Sequence, residues 1–504
     1  MKYTNEDINL ENGIQKEWII TNGIGGFASS TIIGANTRKY HGLLIAPLTP
    51  PARRYLILSK VDESIEIGGK QYNLYTNIGK NYITKGYEYQ TSFEKEEIPT
   101  LKYKISDVEI TKQICMKYGE NTVGILYKIK NGKQPTKLTL APLMNFRDFH
   151  SMSTNHEFKI RQENKGTKLK VIIDNMIQNP IYIKVSEGIY IPHNNDIFRN
   201  MFYIEEQKRG FYPEENHAVV GRYEIEIKPN EEKEISFVCS LEENIDELDV
   251  KKLIIKEKQR ISKILEKTEI DFSEKQDKTE DEEKRQELIK NLVISADTFI
   301  AYRSSFRLHT IIAGYPWFLD WGRDSLISFE GLLLKNKRYD IAKEVLKTMM
   351  RDIKYGLVPN GYSGFDNRPL YNSVDASLLL FEQIQKYLEY TKDQEFIKEI
   401  FEKLEIIIEN YKKGIDIDNN NIYLDTDHLI VSGTENTQNT WMDAKVDGVA
   451  VTPRNGKAVE INSMWYNSLK IMENICKELR RKQKSKKICR TSKTNKKFFW
   501  RQIL

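Results

Sequence analysis

A chain of 504 residues exceeds the usual size of one domain, and 39% hydrophobic with 11% aromatic residues can build a sizeable core. The formal charge of +5 conceals a division: residues 477–504 hold twelve Lys/Arg and one acidic residue, leaving 65 basic against 71 acidic residues, a net of −6, in the rest. That balance argues against a nucleic-acid partner for the body of the chain, and no apolar run approaches the roughly 20 residues of a membrane span.

The N-terminus, MKYTNEDINL, lacks the apolar core of a signal peptide. Four scattered cysteines, Cys115, Cys239, Cys476 and Cys489, form no CxxC pair, which argues against a disulfide framework or a zinc site and fits the cytoplasm. HExxH, GxSxG and GKS/T are absent, and no cofactor is expected.

In chain order, residues 1–265 read as an N-terminal β-sandwich domain. Alternating and β-branched runs such as GILYKIKNG, LKVIIDN and RYEIEIKPNEEKEISFVCSL recur, with Asn131-Gly132 and Pro229-Asn230 as turn signals. GIGG, at 23–26, does not open a helix within a βαβ unit, so a dinucleotide site is rejected; Arg38 and His41 follow in a strand–turn, where a satisfied structural His is the plainer expectation. A short helix is expected over 251–265, and 266–284 reads as a charged, solvated linker.

From 285 to 476 the period becomes helical. Leu288, Leu292, Ala296 and Phe299 fall on one stripe, and further helices are predicted near 324–335, 338–354, 373–391, 393–414 and 459–480. Several are joined by very short connections, so antiparallel helix neighbours are expected.

Three irregular loops leading into these helices concentrate aromatic and acidic residues. GYPWFLDWGRDSL, 314–326, brings Trp317, Asp320, Trp321, Arg323 and Asp324 together. Indole faces suit the C–H faces of a sugar ring, and Asp and Arg suit vicinal hydroxyls. GLVPNGYSGFDNRPLYNSVDASLLLF ends at a helix start carrying Asp375, either a cap or a ligand. NTWMDAKVDGVAVTPRNGKAVEINSMWYNSL holds Trp441, Asp443 and Glu460, with Arg454-Asn455-Gly456 predicted as a hairpin turn between the two acids. Carboxyls beside tryptophans are what glycoside hydrolysis needs: one protonates the leaving oxygen and another activates water.

These motifs carry a resemblance. EWIITNGIGGFASSTIIGANTRKYHGLLIA, AGYPWFLDWGRDSLISFEGLL, YNSVDASL and NTWMDAKV…VTPRNGKAVEINSMWYNSL, in this order over residues 17 to about 475, resemble the glycogen-debranching enzyme family in its bacterial and archaeal amylo-α-1,6-glucosidase form. The resemblance implies a multidomain chain: an N-terminal β-supersandwich, then an all-α (α/α)6 toroid of glucoamylase-like type. It implies inverting hydrolysis of α-1,6 branch points in glycogen or limit dextrin, without a cofactor. By the family's motif Asp443 is the general acid, with Glu460 as the alternative acid or a substrate contact. Trp317, Asp320, Trp321, Arg323, Asp324, Asp375 and Trp441 become substrate-binding candidates. Other α-glucosidases on this fold, α-1,4 or trehalase-like, and a non-catalytic α-glucan-binding protein are the competing readings.

About six helices are countable after residue 284 where the toroid needs twelve, and the family's catalytic base, a glutamate, falls beyond this sequence. The toroid is therefore expected to be incomplete. The tail 477–504 loses helical amphipathicity and reads as an aberrant, out-of-frame end. Half a toroid leaves apolar faces open, so the helical part is expected to be poorly soluble and its activity impaired.

Overall fold

The alternating runs of the N-terminal half form two antiparallel sheets, one of nine strands and one of eight among the described residues. The computed structural model describes residues 1–4, 6–154, 158–173, 178–268, 279–364, 366–417 and 419–503. Strand Pro99–Ile105 shows how the pattern works: Leu101, Tyr103 and Ile105 are buried while Lys102 and Lys104 face water. The long strand Ala52–Ile67 pairs with Gly42–Thr49 on one side and Thr136–Asp148 on the other. One continuous apolar core takes Leu58 and Ile65 from this sheet and Ile110 and Ile125 from the other, the arrangement of a sandwich.

The glycine-rich stretch is a strand connection. Glu17–Thr21 pairs with Phe27–Thr31, and Asn22 Oδ1 accepts the backbone N–H groups of Ile24 at 3.2 Å and Gly26 at 2.8 Å. Gly25 sits at φ +94°, where a Cβ would lie 2.5 Å from the Pro51 Cβ, so close packing and backbone shape both demand glycine. His41 is buried and accepts the Thr37 N–H at 3.1 Å, while Arg38 donates to Glu17 at 2.8 Å.

The chain divides into two compact units, one formed mainly by residues 1–266 and one by residues 295–504. Helix Val250–Lys267 ends the first stretch, and helix Glu280–Thr298 follows. Of the expected linker, residues 269–278 lie outside the described residues, and its last positions are already helical.

In the second unit the helices are Gly322–Phe329 with a further turn Glu330–Leu334, Tyr339–Arg351, Ala376–Thr391, Gln394–Lys413, Val459–Glu478 and Lys482–Ile503. Helix Gln394–Lys413 has the expected punctuation: Asp393 accepts the Phe396 N–H at 3.0 Å, and Gly414 follows Lys412-Lys413. Leu346, Leu380, Ile384, Phe401, Leu404, Trp465 and Leu469 share one core, where Tyr411 stacks on Trp465 with ring centroids 5.9 Å apart.

Three expectations are corrected. Leu288 and Leu292 do not form the buried stripe of their helix; both are exposed, and the buried positions are Val293, Ile294, Ala296 and Asp297, the last paired with Arg338. The tail is helical over Lys482–Ile503 and packs on helix Val459–Glu478, with Ser485, Ile488, Ser492 and Asn495 buried at helical spacing. Small polar residues supply that stripe, so an apolar period does not reveal it. Finally, Arg454-Asn455-Gly456 is not a hairpin turn: Gly456 exchanges backbone hydrogen bonds with Ser432. The hairpin lies earlier, Lys445–Val446 against Val449–Ala450, turning at Asp447 (φ 49°) and Gly448 (φ 80°). Two positive φ values in a two-residue loop are what Asp-Gly provides.

Candidate active site

Helix Gly322–Phe329 starts where Trp321 is extended, at φ −110° and ψ 136°. Trp321 makes an isolated antiparallel bridge to Gly361, and the Gly322 N–H donates to Asn360 O at 2.7 Å. Gly322 has no room for a side chain, because a Cβ would lie 2.5 Å from Pro359 O. This close pairing sets the floor of a cavity of about 770 Å³, within the range of small-molecule sites.

Four chain segments wall the cavity. Phe318, Trp321, Arg323, Asp324 and Ile327 come from the first loop and its helix. Asn372 and Asn420 come from the middle of the unit, and Thr437, Gln438, Trp441, Asp443 and Lys445 form the opposite wall. That wall is tied down by Asn439, whose carbonyl accepts the Val374 N–H at 2.8 Å and whose side chain donates to Asn420 O at 3.1 Å.

Arg323 is the hub. Its Nε donates to Asp375 Oδ2 at 2.6 Å, its Nη1 to Asp443 Oδ2 at 2.8 Å and its Nη2 to Thr440 O at 2.9 Å. Burial works against the guanidinium charge, but the hydrogen bonds and charges of Asp375 and Asp443 raise its pKa further still. Asp324 stands open to the cavity. Desolvation by the surrounding walls raises its pKa above the usual carboxylate value; Asp443 and Asp375 add to the rise, and Arg323 opposes it.

The nine candidate residues separate into groups. Trp321, Arg323, Asp324, Trp441 and Asp443 line the cavity together. Asp320 lies beneath the floor: its two oxygens accept from Arg303 at 2.5 and 2.9 Å, and Oδ2 also accepts from Thr310 at 3.0 Å. Asp375 is buried behind Arg323, and its other oxygen accepts from the Ser373 hydroxyl at 2.5 Å. It makes no side-chain cap to its helix; Ser373 Oγ accepts the Ala376 N–H at 3.1 Å in its place. Asp320 and Asp375 are thus buried behind the cavity wall, each held by protein donors.

Trp317 is half-buried in the first loop, outside the cavity wall. Glu460 also stands off the wall: it pairs with Arg454, whose Nη1 lies 3.8 Å from Met442 Sδ, so that arginine links it to the Asp443 loop.

Sequence reasoning missed Phe318, Ile327, Asn372, Asn420, Thr437, Gln438 and Lys445. Asn372 could have been found, because it stands in the same short motif as Asp375. Asn420 sits in an Asn-rich turn, with Asn419 and Asn421 at positive φ, and reads only as a turn. Among the described residues, no three His, Cys, Asp or Glu side chains converge to hold a metal ion.

An open cavity with two indoles, two carboxylates, a guanidinium and several amides suits a neutral polyol: flat apolar area for ring faces, paired donors and acceptors for hydroxyls. Residues 16–234 match the family model described as "Glycogen debranching enzyme N terminal", and residues 294–502 match "Amylo-alpha-1,6-glucosidase". The glycogen debranching enzyme of Saccharomyces cerevisiae is 26% identical over 204 residues, a match covering 30% of this chain and 13% of the yeast protein. Among solved structures, a bacterial glucoamylase complexed with acarbose superposes with a TM-score of 0.52 at 11% identity, covering 99% of this chain and 66% of that one. A putative kojibiose phosphorylase from the human microbiome gives 0.42 at 10% identity, covering 97% and 63%. The sheet-rich first part followed by a helical part is thus the fold of a glucoamylase-like protein. With both of its family models matched in order along the sequence, the chain belongs to the glycogen debranching enzyme family.

Proposed function

We propose that this chain hydrolyses α-1,6-glucosidic branch points of glycogen or limit dextrin, with Asp443 as the general acid. The observation that supports it most is Asp443 itself, a carboxyl on the wall of a sugar-sized cavity, between Trp441 and the Arg323–Asp324 pair. In the proposed step Asp443 gives its proton to the glycosidic oxygen as the bond to C1 breaks. The oxygen of a water bonds to C1 from the opposite face, and its proton passes to the surrounding water. Trp321 and Trp441 supply ring platforms, and Arg323 and Asp324 bind hydroxyls of the glucosyl unit being released. Glu460 is the second choice for the acid, through its link by Arg454 to the Asp443 loop. The helices belong, in this reading, to part of an (α/α)6 toroid, and the protein works in the cytoplasm on branched α-glucan without a cofactor.

Glucose release from phosphorylase limit dextrin tests the reading. Release by the wild type that is abolished in Asp443→Asn supports it. Release from maltose-like but not panose-like oligosaccharides would reassign the linkage to α-1,4. A second reading, glucan binding without turnover, draws on the Arg323–Asp443 ion pair, which engages the acid candidate with a protein partner. Tight binding with no glucose released would favour it.

A further inference from the structure

Helix Gly322–Phe329 departs from its own burial pattern at one apolar residue. Leu326 and Phe329 are fully buried, whereas Ile327 between them is 64% exposed. Ile327 stands one turn beyond Asp324 on the same helix face, and both line the cavity. Phe318 lines it too and is 52% exposed. Its loop is closed by two backbone hydrogen bonds, Phe318 N–H to Gly314 O and Ala313 N–H to Leu319 O, each 2.8 Å. The ring rests against Gly314, where a Cβ would stand 3.4 Å from it. An aromatic and an aliphatic side chain held toward water on the wall of a polar cavity mark a surface that a ligand covers.

Exposure also grades the cavity from floor to mouth. Arg323 and Asn420 are buried, the Asp443 side chain is 44% exposed, and Phe318, Ile327 and Trp441 are all more than half exposed. In the hydrolysis proposed above the glycosidic oxygen lies at Asp443, and the released glucosyl unit lies with Arg323 and Asp324. The part of the substrate on the other side of that oxygen then lies at the mouth, where the exposed apolar residues are.

We propose that Phe318 and Ile327, with Trp441 on the opposite wall, form the subsite for the glucan chain left behind. They select a glucosyl unit carried on a chain over one carried on a small leaving group. The C–H faces of the first retained glucose rings cover the Phe318 ring and the Ile327 side chain and remove that apolar area from water. This proposal rests on the hydrolase reading of the same site and goes beyond it by naming the residues that recognise the leaving side.

The experiment compares kcat/KM of the full chain on two substrates that deliver the same glucosyl unit: phosphorylase limit dextrin, and α-glucosyl fluoride, whose leaving group has no ring. Phe318→Ala and Ile327→Ser are measured beside wild type, with a thermal melt of each to show that it is folded. The expected result is that the ratio of dextrin to fluoride kcat/KM falls about tenfold in each variant. An unchanged ratio in both variants overturns the subsite. Equal losses on the two substrates also overturn it, since they would place these side chains on the released unit or in folding alone. A wild-type dimer that dissociates in Ile327→Ser, with the ratio unchanged, would give this wall to a second copy of the chain. Activity with an unchanged ratio removes the subsite and leaves the hydrolase reading standing. If the wild type releases glucose from neither substrate, both proposals fall.

Discussion

Arg303 and Asp320 form a two-point ion pair, Nε to Oδ2 at 2.9 Å and Nη2 to Oδ1 at 2.5 Å, with side chains 0% and 1% exposed. The guanidinium also lies between the rings of Phe306 and Tyr362, at 4.8 and 4.7 Å, and donates to Asn367 at 2.7 Å. Asp320→Ala leaves a buried, unpaired guanidinium and is expected to cost about 3–5 kcal/mol. A thermal scan without sugar should show a lower transition for the helical unit. An unchanged transition with a raised KM would mean that Asp320 touches substrate after all.

Asp324 carries a raised pKa, so the folded state binds its proton more tightly than the unfolded chain does. Stability is then lost as pH rises from the ordinary Asp value of 3.8 through the raised one. Asp324→Asn should therefore melt higher than wild type at neutral pH. If Asp324 holds a glucosyl hydroxyl, the same change should lower glucose release by ~10–100-fold, the worth of one hydrogen bond to a charged group. Activity that survives the substitution would remove Asp324 from the site.

His217 is fully buried in the sandwich, and burial, with Arg147 and Lys60 nearby, holds its pKa down at about 4 against the attraction of Glu215. The folded state keeps it neutral while the unfolded chain protonates at the usual value of 6.5. The stability contribution is complete above pH 6.5 and is lost as pH falls from there to about 4. Urea denaturation between those limits should show stability falling by on the order of 3 kcal/mol, and His217→Gln should flatten that slope. An equal slope in the variant would assign the acid sensitivity to other groups.

The first glucose released should be the β-anomer, since direct attack by water inverts C1. Proton NMR in the first minutes, before mutarotation, distinguishes it. The α-anomer would instead require a carboxylate that attacks C1 directly.

Legibility in the sequence tracks physical range. Helices Tyr339–Arg351 and Gln394–Lys413 were legible because a 3.6-residue apolar period is local. The stripe through Leu288 and Leu292 has the same period, but its helix buries the neighbouring face, a choice made by partners far away in sequence such as Arg338. Asp320, Asp324, Asp375 and Asp443 look alike as letters in aromatic loops. Their difference comes from Arg303, seventeen residues before Asp320, and Arg323, fifty-two before Asp375 and 120 before Asp443. Asp447-Gly448 and Asn455-Gly456 are both Asx-Gly pairs in one loop, and the hairpin forms at the first, whose flanks pair.

The cavity has one wall that is bolted and one that is anchored at Asn439 and free beyond it. Residues 320–323 are fixed by the Arg303 pair and by backbone bonds to 360–361, whereas the 445–450 hairpin presents Val446 and Val449 to water beside the exposed Trp441. Directed evolution toward a different glucan should find the two walls unequal. Libraries at Trp441, Lys445, Val446 and Val449 should yield folded proteins with altered preference, and libraries at 320–323 should yield mostly misfolded chains.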